Sequence, residues 1–155
     1  MEGITKRKLN GGISHIILIP SQQAIVARRN GQLYCEVPPT AVECEPMEDS
    51  AKWIERYAVT KGVANVTHTL EFVVPIDSPV MQLMEHSSNG FVAVVEYRNG
   101  TKILAGYSSK FSYERPLQIE LLTVTSGATR ADDAECRIRL GSVDDAFARQ
   151  CDEVV

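Results

Sequence analysis

Along most of the chain apolar and polar residues alternate, or apolar residues run on without a break, and both patterns point to strands rather than helices. After Asn10, Gly11 and Gly12, residues 13–19 form a nearly continuous β-branched run, expected to be a strand covered on both faces and stopped by Pro20. Residues 24–29 and 32–37 flank Asn30-Gly31, a pair that tolerates positive φ and so predicts a tight type I′ hairpin. Residues 53–59 fit a short helix or a strand. The Lys61-Gly62 pair and the run 63–74 that follows favour a hairpin arm. In that run Ala64, Val66, Leu70, Phe72 and Val74 share one face and Thr67, Thr69 and Glu71 the other, a period of two that no helix satisfies.

A second hairpin is predicted from residues 91–98 and 101–113 around Asn99-Gly100, with Phe91, Ala93, Val95 and Tyr97 alternating against Val92, Val94, Glu96 and Arg98. Leu117, Ile119 and Leu121 alternate with Gln118 and Glu120, and Cys136, Ile138 and Leu140 with Glu135, Arg137 and Arg139. These predict two further strands joined through residues 126–133. One helix is expected, over 78–89. Asp77 or Ser78 caps it, Pro79 suits its first turn, Val80, Leu83 and Met84 line one face, and Asn89-Gly90 ends it after about three turns. Residues 38–50, with Pro38, Pro39, Pro46, Glu43, Glu45, Glu48 and Asp49, read as an acidic loop, and 144–155 as a mobile tail. No repeat of fixed period excludes a solenoid or propeller. The fold class that follows is mainly β, a β-sandwich or partly closed β-barrel with one flanking α-helix.

Composition narrows this picture without changing it. The 155 residues, 44% hydrophobic and 23% charged, suit a single domain spanning 1–155 with a core of its own. A net charge of −4 argues against a general nucleic-acid or anionic-membrane binder, which needs a dense basic surface. No apolar run approaches the roughly 20 residues that span a bilayer. Lys6, Arg7 and Lys8 precede no apolar segment of signal-peptide length, so a cytoplasmic protein that spans no membrane is expected. In that setting Cys35, Cys44, Cys136 and Cys151, none in a C-x-x-C pair, read as reduced and partly buried, and the sequons at Asn65 and Asn99 carry no meaning.

Residues that carry chemistry are scarce. His15 and His68 each lie alone on an apolar strand face and read as satisfied interior histidines. His86 suits the carbonyls at a helix end. Asp132-Asp133 and Asp144-Asp145 lack calcium-loop spacing and read as solvated loops. Ser108, Ser109 and Ser126 lack a nucleophile elbow, and no phosphate-cradling glycine motif occurs. No catalytic, cofactor-binding or metal residue is assigned, and no enzyme is expected. The sequence leaves open a subunit that joins its sheets to neighbours and a monomeric β-domain that binds a small ligand or a protein.

Four segments carry a family resemblance by their order. They are Gly12-Ile13-Ser14-His15-Ile16-Ile17-Leu18-Ile19, His68-Thr69-Leu70-Glu71-Phe72-Val73-Val74-Pro75, Gly90-Phe91-Val92-Ala93-Val94-Val95-Glu96, and Ser126-Gly127-Ala128-Thr129-Arg130-Ala131-Asp132 before the strand ending at Leu140. Together they span most of the chain, which resembles the tail-tube-like structural proteins of phages and integrated prophages of the kind found in gut Bacteroidetes. The resemblance implies a β-sandwich protomer with a flanking helix and self-assembly into hexameric rings through sheet edges. It further implies stacking through an extended loop, for which 38–50 is the candidate, other phage tail proteins as partners, and a place in the host cytoplasm or the virion. It implies no catalytic residue. An acidic conduit that repels phosphates would suit a DNA passage, with no sequence-specific nucleic-acid binding.

Overall fold

In the computed structural model of the protein, the described residues are 12–86, 89–108, 113–126, 134–151 and 153–154. In chain order the elements are β1 (Ile13–Pro20), β2 (Ile25–Arg29), β3 (Gln32–Glu36), β4 (Val42–Cys44), β5 (Lys52–Thr60), β6 (Val63–Pro75) and α1 (Pro79–His86). They continue as β7 (Phe91–Tyr97), β8 (Lys102–Ala105), β9 (Tyr107–Ser108), β10 (Tyr113–Glu114), β11 (Gln118–Thr125), β12 (Glu135–Asp144), β13 (Arg149–Gln150) and β14 (Glu153–Val154).

The strands form a five-stranded sheet ordered β13-β8-β7-β1-β4, a four-stranded sheet β11-β12-β6-β5, a three-stranded sheet β14-β3-β2 and a two-stranded pair β10-β9. Every pairing is antiparallel except β14 with β3. The sheets stay open, so the sandwich alternative holds and the barrel does not.

The five-stranded sheet sits between two cores, and this explains the unbroken apolar runs of β1 and β7. Ile16, Leu18, Phe91, Ala93 and Val95 enter the first core with Leu70, Phe72 and Val74 of β6, Cys136, Ile138 and Leu140 of β12, and Val80 and Met84 of α1. Ile19, Val92, Val94 and Leu104 point the other way, into a second core with Leu33, Cys35 and Cys151. Strands covered on both faces have no polar face to write into the sequence. Each of the Val, Leu, Ile, Phe and Met side chains among them contributes on the order of 1.5–3 kcal/mol by leaving water.

Asn30-Gly31 forms the expected type I′ turn, whereas at Asn99-Gly100 only Gly100 has positive φ, so the β7–β8 hairpin closes without that turn type. Asn30 and Gly31 have φ of 52° and 80°, and Lys61 and Gly62 have φ of 52° and 78°, the two positive values a type I′ hairpin requires. Residues 53–59 lie in a strand, β5. The alternation over 64–74 is realised, with Val66, Leu70, Phe72 and Val74 buried and Thr67 exposed.

Five expectations are corrected. The loop 38–50 contains β4, which pairs with β1 and buries Cys44, and the Met47 amide then donates to the Val73 carbonyl at 2.8 Å. A three-residue strand is too short to show a period, so composition hid it. The helix, capped by the Ser78 hydroxyl that accepts the Val80 amide at 3.3 Å, runs over Pro79–His86 among the described residues, just over two turns, and 87–88 of the expected span lie outside them. Its residues Val80 and Met84 are buried whereas Leu83 is only partly so. The arm expected over 101–113 breaks at Gly106, where φ of 82° turns the chain out of the five-stranded sheet and into β9.

In β11 a bulge at Glu120 shifts the register, so that Ile119 faces Leu140 but Leu121 faces Arg139. Ile119 and Leu121 therefore do not share a face. Finally, the described part of 144–155 is no mobile tail. Asp144 is buried at the end of β12, β13 pairs with β8, Cys151 enters the second core, and β14 pairs with β3. Few apolar residues mark the segment, because it is held by short backbone pairings together with the hydrogen bonds that link Ala146 to His68 and Ala148 to Glu55.

Candidate interaction surface

Among the described residues, the four-stranded sheet is the only one whose two edges are both long. Its inner strands β12 and β6 share ten paired positions from Glu135↔Pro75 to Asp144↔Val66. On one side lies β11, eight residues that are all exposed, among them Ile119, Leu121, Leu122 at 39% and Val124 at 50%. The register places Leu122 opposite Ile138 and Val124 opposite Cys136, on the core face. The bulge leaves Leu121 beside Arg139 on the outer face. Apolar side chains thus border this edge on both faces, with Glu120 as its one charge.

On the other side β5 pairs with β6 from Lys52↔Glu71 to Thr60↔Val63. Its residues Tyr57 and Val59 are 56% and 60% exposed, although they share the inner face with Trp53 and Glu55. Lys52 and Arg56 stand on its outer face. An unpaired strand edge presents a row of free N–H and C=O groups and is a template for another strand. Inward of these edges, Ile54, Arg56, Thr67, Thr69, Glu71, Glu120 and Arg139 line a shallow depression on the outer face, where Arg139 Nε lies 3.4 Å from Glu120 Oε1.

Behind β5 folding assembles a histidine and a carboxylate. His68 is buried, and its Nε2 lies 3.0 Å from the Ala146 carbonyl oxygen and 3.4 Å from Glu55 Oε2. Both neighbours are acceptors, so Nε2 carries a proton. The Glu55 carboxylate also accepts the Trp53 indole N–H at 2.9 Å and the Ala148 amide at 2.6 Å. Its charge, after burial, helps to push the Tyr97 phenol upward in pKa. Ser142 stands opposite His68 on β12 and Glu55 opposite it on β5, so a hydroxyl, an imidazole and a carboxylate line up across three strands. They are not wired as a nucleophile relay. The Ser142 hydroxyl donates to the Arg115 carbonyl at 2.8 Å, and no hydrogen bond among the described residues joins it to His68.

The other candidates separate. His15 is satisfied but not interior, with its side chain 35% exposed, Nε2 3.1 Å from Glu45 Oε1 and Nδ1 3.2 Å from Ser14 Oγ; it shares no partner with His68. Asp144 is not in a solvated loop, and its Oδ1 accepts the Asp145 amide at 2.7 Å. Ser108 is fully buried, with a hydroxyl that has no hydrogen-bond partner among the described residues, and Ser126 is exposed. Ser109, Asp132, Asp133 and the side chain of His86 lie outside the described residues, as do 127–132 of the fourth segment of the resemblance.

All four cysteines are free and buried. Burial, with a smaller contribution from Cys151, pushes the Cys35 thiol up to about 12. Burial followed by the Glu43 charge does the same for Cys44, and burial raises Cys136. These thiols are inert as nucleophiles at neutral pH. No group of three or more metal-ligating side chains occurs among the described residues, and no described helix is long and apolar enough to cross a membrane. No protein-family model matches the chain, and no curated protein matches it either.

Proposed function

We propose that the chain is a non-enzymatic structural subunit of a phage-like tail, and that it associates with copies of itself into rings through the edges of its four-stranded sheet. The observation that carries this reading is the fully exposed β11, bordered by apolar residues on both faces, at one edge of a sheet whose other edge, β5, is exposed except at Trp53 and Glu55. Neighbouring strands in this sheet alternate in direction. A second copy placed by simple rotation would therefore set its β5 antiparallel to β11 of the first, continuing the alternation, and closing the ring removes both edges of this sheet. Glu120 at one edge and Lys52 and Arg56 at the other are of opposite sign. Six copies and stacking with other tail proteins are what the family resemblance adds. The middle of 38–50 is held as β4, so stacking there would use the outward carboxylates of Glu43, Glu45, Glu48 and Asp49 rather than a free arm.

Electron microscopy and light scattering at high concentration, and with the products of neighbouring genes, test this reading. Rings or tubes are expected from the native chain and none from Val124→Arg, while the stability of the monomer changes by about 0.5 kcal/mol or less because that site is half exposed. A protein that never forms a ring under these conditions, and that holds a small molecule in its interior, is instead a ligand-binding β-domain.

A further inference from the structure

The chain ends by crossing from one sheet to the next. From Asp144 at the end of β12 it turns through 145–148, pairs as β13 with Leu104 and Ile103 of β8, and donates the Cys151 amide to the Lys102 carbonyl at 2.8 Å. Both residues of β13 are exposed, and a two-residue ladder supplies little stability by itself. What holds the turn lies elsewhere. Glu55 accepts the Ala148 amide at 2.6 Å, His68 donates to the Ala146 carbonyl at 3.0 Å, and the Phe147 ring stacks on Tyr57 at 6.4 Å with 19° between planes. The two hydrogen bonds involve a carboxylate and a buried ring, and a bond to a charged acceptor is the stronger kind.

We propose that residues 145–151 form a clasp that opens as one unit, closed by Glu55 and His68, and that its opening bares the β8 edge of the five-stranded sheet together with the Cys151 thiol. The closed clasp covers the β8 edge at Ile103 and Leu104, as β4 covers the β1 edge at the other end of that sheet. It also seals the second core, where Cys151 is 3% exposed beside Leu33 and Cys35. The device thus decides when a strand edge is available for pairing. It is a property of the single chain and does not rest on ring formation.

Hydrogen exchange on the full-length protein, read by mass spectrometry, tests the clasp with Glu55→Gln. A glutamine offers one acceptor oxygen and an amide that only donates, so either the Trp53 indole or the Ala148 amide loses its acceptor. Exchange across 145–151 is expected to rise by at least about tenfold, the factor a lost charge-assisted bond implies, while β6, β7 and β12 keep their native rates. Labelling of Cys151 by a maleimide should rise by the same factor. Tyr57→Ala, at an exposed position, should do the same to a smaller extent and serves if Glu55→Gln does not fold. The proposal is overturned if the clasp and the sheets accelerate together, if Cys151 labelling stays at the native rate, or if neither variant changes exchange in 145–151.

Discussion

Replacing Gly106 by alanine separates two costs that glycine avoids, backbone handedness and close approach. Gly106 has φ of +82°, a conformation that costs an L-residue on the order of 1–2 kcal/mol. Its added Cβ would also lie 2.7 Å from the Phe91 carbonyl oxygen, 3.3 Å from Val92 Cα and 3.4 Å from the Leu117 nitrogen. The obstacle is backbone, and the same Phe91 oxygen accepts the Leu117 amide at 2.8 Å in the bridge that joins the start of β7 to the entry of β11. Moving it strains that bridge, and crowding of this kind costs about 1–3 kcal/mol more. Gly31 provides the control, because its φ is +80° and nothing lies within 4 Å of its added Cβ.

Gly31→Ala should therefore lose about 1–2 kcal/mol and Gly106→Ala about 2–5 kcal/mol. Urea unfolding followed by the fluorescence of Trp53, the one tryptophan, measures both, with an unchanged m-value required for the comparison. Equal losses, or a larger loss for Gly31→Ala, would refute the close-approach argument.

On α1, Met84→Ala should cost about 2–4 kcal/mol by transfer and cavity terms, and Leu83→Ala less, because Leu83 is only partly buried; denaturant midpoints check the order. At alkaline pH the stability should fall. Cys35 and Cys44 are pushed up from about 9 to about 12 by burial, so the folded state holds their protons more tightly, and the contribution is complete below pH 9 and lost as pH rises toward 12. Each thiol gives a slope of roughly 1.4 kcal/mol per pH unit in that window, and Cys44→Ala should remove one thiol's share of it. Urea midpoints of the two proteins that run parallel between pH 9 and 11 would contradict this.

Local rules in the sequence determined the Asn30-Gly31 hairpin, because positive φ at Asn and Gly depends on the residues themselves, whereas Lys61 at φ 52° takes a conformation that lysine does not favour and is held there by the β5–β6 ladder. Counting outward from the Lys61-Gly62 turn even places Glu55 opposite His68, so half of the polar cluster was legible once 53–59 is taken as a strand. The alternation of β6 and β12 likewise told their core faces, since a period of two needs no knowledge of what covers the sheet. What covers each strand is another matter. Ile119 and Leu121 in β11 look like core residues by pattern, yet they stay exposed because β11 lies at a sheet edge and carries a bulge, and neither property is written in its own eight residues. Ser142 reaches the register of His68, and Ala146 and Ala148 reach His68 and Glu55, only through pairing across more than seventy positions. The capture of 38–50 as β4 and of 144–155 as β13 and β14 has the same cause. Short ladders are decided by whichever edge the tertiary structure leaves open, and sequence periodicity has no means of recording that.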